Sequence, residues 1–356
     1  MTILLFLAGL ALLIAGAELL VKGSSGIALN FRISPLVVGL TVVAFGTSSP
    51  ELAVGIESSL TGKEGITFGT VVGSNIFNIL FILGVSAVIL PLSVSKKLLR
   101  MDVPFMIILS VVLLLLSLNG VLSRIEGIVL TAGLIIYTTF LIAVSRRNFE
   151  PVETGETPVK KKGWILNFTM AAAGFGLLMA GSNWFLDGAV SLAQNFGLSE
   201  TIIGLTIVAA GTSMPEVVTS IMAVIRGERE IAVGNVIGSN IFNILGVLGI
   251  SALFATDGIN ISDSMIRFDI PVMIAVALAC LPIFFTGGII SRGEGILFLG
   301  YYTAYTLFLV LAATHHDALP VFSTVMIWFV IPFTVIILAV SVYQHFNASR
   351  EFDKLS

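Results

Sequence analysis

TVVAFGTSSPELAVGIESSLTGKEGITFGTVVGSNIFNIL (residues 41–80) and TIVAAGTSMPEVVTSIMAVIRGEREIAVGNVIGSNIFNIL (residues 206–245) are one pattern written twice. They align without a gap at a constant offset of 165, and 21 of 40 positions are identical. The identities cluster in G-T-S-x-P-E, at Gly46–Glu51 and Gly211–Glu216, and in G-S-N-I-F-N-I-L, at Gly73–Leu80 and Gly238–Leu245. Each copy sets a glutamate, a proline and several hydroxyl residues inside an apolar segment. A carboxylate in a membrane span costs roughly 2.5–3.5 kcal/mol on insertion scales, so it calls for a functional explanation. A matched pair of them points to a transporter with a cation site where two repeats meet.

The rest of the composition agrees. The chain is 56% apolar and 11% charged, with a mean hydropathy of +1.06. Long, nearly uncharged stretches recur from end to end, the signature of an all-α polytopic membrane protein. Nothing in the charge pattern suits nucleic acid; the expected surroundings are lipid. The N-terminus has no basic region before its apolar run and reads as a first span, not a cleaved signal. The single cysteine, Cys280, has no partner for an internal disulfide and reads as a small buried hydrophobe.

Eleven spans are expected, near 2–29, 33–60, 67–90, 102–119, 123–145, 164–195, 199–225, 230–255, 269–287, 292–313 and 320–344. With the N-terminus outside, fifteen of the 18 Lys and Arg residues fall on the cytoplasmic side. Only Lys63, Arg124 and Arg267 fall outside, as the positive-inside rule asks. The C-terminus is then cytoplasmic, and the expected location is the plasma membrane of a prokaryote. The halves also match beyond the central motifs. Arg100-Met-Asp-Val-Pro104 parallels Arg267-Phe-Asp-Ile-Pro271, and Ser123–Ile128 parallels Ser291–Ile296. The unit is therefore five spans, residues 1–145 and 164–313. Five is odd, so the second unit enters the membrane in the opposite sense: an inverted five-plus-five repeat. Residues 146–163 read as a polar cytoplasmic linker, and residues 314–356 as an extra C-terminal span and tail.

The motif's chemistry follows from its residue types. Pro50 and Pro215 lack an N–H and break their helices, freeing carbonyls around Ala44–Thr47 and Ala209–Thr212. Such backbone is tolerated in a membrane only when buried in protein or lining a wet cavity. Glu51 and Glu216 follow directly, so carbonyls, hydroxyls and carboxylates converge. This all-oxygen set suits Ca²⁺, Mg²⁺, Na⁺ and K⁺ and argues against zinc or copper; Mg²⁺ fits less well because it demands rigid octahedral geometry and dehydrates reluctantly. Ser74 and Asn78 are four apart, as are Ser239 and Asn243, so each pair shares a helix face and can extend the oxygen set. Asn75 and Asn240 lie on another face and read as packing or backbone-capping groups. Glu18 and Lys22 read as a local ion pair, and Glu57 as pointing away near the outer end. His315-His316-Asp317 reads as an exposed loop. No membrane-embedded His or Asp is placed to activate Ser48 or Ser213, so an intramembrane hydrolase is excluded.

The paired G-T-S-x-P-E and G-S-N-I-F-N motifs resemble the α-repeats of the cation/calcium exchanger superfamily, and the prokaryotic sodium/calcium exchangers most of all. The resemblance covers both halves. It implies a secondary transporter, not an enzyme, with Ca²⁺ and Na⁺ as substrates and no cofactor. It implies a sliding pair made of the first helix of each half, around which glycines such as Gly16 and Gly181 would matter. Carried over by position, Glu51 and Glu216 resemble the central Ca²⁺ carboxylates, and the carbonyls of Thr47 and Thr212 its backbone ligands. Ala44, Ser48 and Ser239 resemble the groups of one flanking Na⁺ site, and Ala209, Ser213 and Ser74 those of the other. Asn78 and Asn243 match the remaining pair of the central cluster. Some members carry an aspartate at one of those two positions; here both are asparagine, which leaves two ionisable groups and admits H⁺ as an alternative counter-ion. A passive cation channel is the rival from another class. The extra eleventh span has no counterpart in ten-span members.

Overall fold

A computed structural model of the chain describes residues 2–147, 163–196, 203, 209–285, 288–336, 339 and 343. In chain order its helices are α1 (Thr2–Phe31), α2 (Pro35–Thr47) and α3 (Ser49–Leu60), which meet at 45°, α4 (Glu64–Ile89), α5 (Leu98–Ser117), α6 (Arg124–Arg147) and α7 (Trp164–Asn195). There follow α8 (Ala209–Gly211), α9 (Met214–Ile225), α10 (Arg229–Phe254), α11 (Met265–Phe284), α12 (Arg292–Ala313) and α13 (Leu319–Ile336). Among the described residues nine helices are long and apolar enough to span a membrane, and the bent α2–α3 pair makes a tenth. The protein is thus an all-α polytopic membrane protein. Much of the first third of the expected seventh span, the expected linker from residue 148 to 162, and most of the chain beyond Ile336 lie outside the described residues.

Burial grades the helices from centre to rim. The most apolar window of α10 is 89% buried and that of α4 72%, against 6% for α12 and 0% for α13. Polar side chains therefore belong on α4 and α10, where lipid is excluded, and these are the helices that carry both G-S-N motifs.

Helices α1 and α7 pack antiparallel through two glycine stripes of period seven. Gly9, Gly16 and Gly23 recur at the repeat offset as Gly174, Gly181 and Gly188. A Cβ on Gly16 would lie 2.7 Å from the Gly174 carbonyl oxygen, and one on Gly181 would lie 2.9 Å from that of Gly9. Only a hydrogen at these positions lets the two backbones touch, as small-residue stripes do between membrane helices.

Two short antiparallel ribbons tie the halves crosswise. β1 (Leu92–Ser93) pairs with β4 (Ile289–Ile290), and β2 (Val121–Leu122) with β3 (Ile259–Asn260). In the eleven-span alternation, β1 and β4 sit in two loops assigned to the cytoplasm, and β2 and β3 in two assigned to the outside. Each ribbon therefore joins loops of one side. The Arg-x-Asp-x-Pro match gains a role as well. Tyr137 of α6 donates to Asp102 of α5 at 3.0 Å, and Tyr305 of α12 donates to Asp269 of α11 at 2.8 Å. The same fastening occurs once in each half.

The peripheral readings hold among the described residues. Glu18 accepts from Lys22 at 2.7 Å, and it also accepts from Arg226 at the end of α9, a partner distant in sequence. Glu57 and His315–Asp317 are exposed, and Cys280 is fully buried.

Candidate cation site

The two G-T-S-x-P-E motifs form matching backbone breaks. Ser48 (φ −84°, ψ 7°) separates α2 from α3, and Ser213 (φ −88°, ψ 9°) precedes α9. Each proline falls in the first turn of the new helix, where its missing N–H is harmless. Glu51 and Glu216 stand in those same first turns, where the positive end of the helix dipole favours a carboxylate. Both are buried.

The freed carbonyls are narrower than the sequence suggested. A proline removes the bond to the carbonyl four residues back, which is Gly46 for Pro50 and Gly211 for Pro215. The Ala44 carbonyl is already accepting, from the Ser48 N–H at 3.0 Å. The Gly211 carbonyl accepts from Ser182 Oγ of α7 at 3.0 Å, which engages one of its two lone pairs. At the position of Ser182 the first half has Ala17, which has no side-chain donor.

Across the halves the site residues interlock. Ser48 Oγ donates to Glu216 Oε1 at 2.9 Å, and Ser213 Oγ donates to Glu51 Oε1 at 3.1 Å. Ser213 Oγ also lies 3.0 Å from Ser74 Oγ, which accepts from Asn243 Nδ2 at 3.2 Å. Thr47 Oγ1 lies 3.4 Å from Ser239 Oγ. Nine of the twelve expected residues are thus placed in contact or on the same break: Ala44, Thr47, Ser48, Glu51, Ser74, Ser213, Glu216, Ser239 and Asn243; Asn78 joins them through Asn240. The Thr212 hydroxyl is buried with no hydrogen-bond partner among the described residues. Ala209 opens the short helix α8, at the edge of the described residues.

Asn75 and Asn240 are the backbone-capping groups expected, and they do more. Asn240 Nδ2 donates to the Asn75 carbonyl at 3.3 Å, and Asn75 Nδ2 donates to the Asn240 carbonyl at 3.4 Å. A carbonyl can only accept, so each amide must turn its nitrogen that way and its oxygen the other way. Those oxygens then accept from Asn78 Nδ2 and Asn243 Nδ2, both at 3.0 Å. As a consequence Asn78 Oδ1 and Asn243 Oδ1 are left buried with no donor among the described residues. Each of these asparagines also ends an α-helical run and opens a π-helical one, Asn78–Leu83 and Asn243–Leu248, a feature frequent at functional sites.

In this cluster four carboxylate and amide oxygens therefore have no donor among the described residues: Glu51 Oε2, Glu216 Oε2, Asn78 Oδ1 and Asn243 Oδ1. Leaving such atoms unpaired in an apolar interior costs about 1–3 kcal/mol each, more for charged groups. The donor set is wholly oxygen, which a hard cation satisfies. Among the described residues no group of three or more His, Cys, Asp or Glu forms an alternative metal site.

Sequence reasoning missed Asn235, Ser220 and Ser182. Asn235 is one turn before Ser239, so extending the i, i+4 stripe by one turn would have found it. The repeat hid it, because the equivalent residue is Thr70. Ser182 has no local signal; only the packing of α7 on the break reveals it.

Comparison with known proteins now bears on this geometry. The family model described as "Sodium/calcium exchanger protein" matches residues 1–143 and 166–311. The chain is 36% identical over 307 residues to a putative antiporter, CaxA, of Alkalimonas amylolytica, covering 84% of this chain and 95% of the relative. It is 33% identical over 344 residues to the sodium/calcium exchanger MaX1 of Methanosarcina acetivorans, covering 86% and 97%. The solved structure of the sodium-calcium exchanger NCX_Mj, soaked with Na⁺ and Ca²⁺, superposes with a TM-score of 0.73 at 32% identity, covering 85% of this chain and 96% of that one. The chain belongs to the sodium/calcium exchanger protein family, whose members are membrane transporters and not enzymes.

Proposed function

We propose that this cation/calcium antiporter exchanges Na⁺ for Ca²⁺ electrogenically, by alternating access, through the site between the two breaks. The observation that carries the reading is the set of four donor-free buried oxygens, two from carboxylates and two from amides. One Ca²⁺ neutralises the pair of carboxylates; so do two or more Na⁺. If these ions share Glu51 and Glu216 they exclude one another, and exclusion couples the fluxes. Bare charge is costly to move through an apolar barrier, so the protein switches sides only when the site is compensated. Three Na⁺ per Ca²⁺, the ratio the resemblance implies, would make each cycle carry net charge and let inward Na⁺ expel Ca²⁺. In this reading the carbonyls of Thr47 and Thr212 join the carboxylates on Ca²⁺, Ala44, Ser48 and Ser239 serve one flanking Na⁺ position, and Ala209, Ser213 and Ser74 the other. The N-terminus lies outside the plasma membrane of a prokaryote and the C-terminus in the cytoplasm. Residues 1–145 and 164–313 are the two inverted repeats.

A second reading rests on one observation: both amide positions are asparagine, so Glu51 and Glu216 are the site's only ionisable groups. Two protons would neutralise them equally well, which makes an H⁺/Ca²⁺ antiporter on the same fold the alternative. Radioactive Ca²⁺ uptake into proteoliposomes separates the readings. Uptake only into Na⁺-loaded vesicles, changed by an imposed potential, is the expected result. Uptake driven by an acid interior without Na⁺ moves the assignment to proton exchange. Uptake with no counter-ion requirement overturns antiport.

A further inference from the structure

The two halves differ at a buried amide that no part of the reading above uses. Asn235 is fully buried on α10, one turn before Ser239 and two before Asn243, on the polar stripe that lines the site. Its Nδ2 donates to Ser220 Oγ at 3.0 Å and makes a long contact of 3.5 Å with the Glu216 carbonyl. Both are on α9, and the carbonyl can only accept, so the amide orientation is fixed. Its Oδ1 therefore faces away and accepts from Thr47 Oγ1 at 3.0 Å, across the boundary between the halves.

That bond decides where a proton points. The Thr47 hydroxyl has other acceptors at hand: the Ala44 carbonyl at 3.4 Å, Ser239 Oγ at 3.4 Å, and the Glu216 carboxylate. A hydroxyl hydrogen aimed at any of them would place a positive end among groups assigned to a cation and occupy one of the ion's oxygens. Asn235 Oδ1, at 3.0 Å, is nearer than the Ala44 carbonyl or Ser239 Oγ and takes the hydrogen. The Thr47 lone pairs, the Ala44 carbonyl and Ser239 are then left as acceptors. In the other half the brace is missing. Thr70 replaces Asn235, Gly55 replaces Ser220, and the Thr212 hydroxyl has no partner among the described residues. Gly55 cannot be a serine without rearrangement, because a Cβ there would collide with Ser251 Oγ.

We infer that Asn235 is a positioning residue that, by turning the Thr47 hydroxyl away, pre-organises one flanking Na⁺ position, that of Ala44, Ser48 and Ser239, and leaves its counterpart unbraced, so that the two positions bind Na⁺ unequally. The inference rests on the proposed Na⁺/Ca²⁺ reading of the same site.

The test titrates purified full-length protein with NaCl at constant ionic strength, and separately with CaCl₂, following ion-induced thermal stabilisation and Na⁺-driven Ca²⁺ uptake. Asn235→Ala is expected to raise half-saturating Na⁺ about three- to tenfold, the worth of one buried hydrogen bond. Half-saturating Ca²⁺ measured without Na⁺ should move less than about twofold. In a Thr47→Val background the same substitution should add nothing, because the hydroxyl it orients is gone. Ser220→Gly, which copies Gly55 and removes only the outer support, should shift Na⁺ in the same direction by less, and it decides the matter if Asn235→Ala does not fold. An unchanged Na⁺ response, an equal rise for both ions, or full additivity with Thr47→Val overturns the inference. Wild-type protein that responds to neither ion overturns the exchange reading itself, and with it this one.

Discussion

The break at Gly46–Glu51 and the break at Gly211–Glu216 have nearly the same sequence and the same backbone, yet their surroundings differ. Ser48 and Ser213 agree within a few degrees in φ and ψ. Around the first break, Thr47 is tied to Asn235 of the opposite half, while Ala17 offers the Gly46 carbonyl no side-chain donor. Around the second break, Ser182 holds the Gly211 carbonyl, while the Thr212 hydroxyl is unpaired among the described residues. The repeat supplies a symmetric scaffold; residues just outside its identities make the two sides chemically unequal. An inverted-repeat carrier needs the first property to reach two mirrored access states. In the proposed reading, the second sets how tightly each side holds its ions.

The largest effect tests the symmetric part. Glu51→Gln and Glu216→Gln should each lower Ca²⁺ transport at least about a hundredfold, because losing one partner of a charge-assisted ligand set costs several kcal/mol. Both proteins should remain folded by gel filtration and thermal melting. Near-normal flux from either variant would mean that the carboxylates are not equivalent centres of one site.

The next effect sharpens the asymmetry. Ser213 bonds both Glu51 and Ser74, whereas Ser48 bonds Glu216 through its side chain. Ser213→Ala should therefore raise half-saturating Na⁺ about tenfold and Ser48→Ala about threefold, with one lost hydrogen bond worth roughly 0.5–1.5 kcal/mol. Equal shifts would show that the extra contact of Ser213 is energetically silent. The smallest effect concerns Ser182→Ala. It leaves the Gly211 carbonyl without this donor and should lower stability by about 1 kcal/mol, seen as a modest drop in melting temperature, with Ca²⁺ affinity little changed. A large loss of Ca²⁺ binding would make Ser182 part of the ion site.

Much of this was legible in the chain. Hydropathy and charge alternation gave span limits that agree with Glu64–Ile89 and Arg229–Phe254 to within a few residues, since a membrane imposes both length and sidedness. The proline and glutamate spacing located the breaks, and the i, i+4 pairs located Asn78 and Asn243. Less legible were the donors. Ala44 was expected to be free, and the Gly211 carbonyl to be open. Both accept hydrogen bonds: the Ala44 carbonyl keeps its ordinary helical donor, the Ser48 N–H, and the Gly211 carbonyl, freed by Pro215, takes the Ser182 hydroxyl of a neighbouring helix.

Sequence alone determined the all-helical membrane class, the twofold repeat, the oxygen character of the site and its two carboxylates. These depend on residue type and local spacing, which the chain states directly. Tertiary structure alone decided which oxygens face the site. Asn78 and Asn243 present oxygen and not nitrogen because Asn240 and Asn75 are oriented by backbone carbonyls across the half boundary. An amide has a donor end and an acceptor end of nearly the same shape, and only the partner it meets in the folded protein chooses between them.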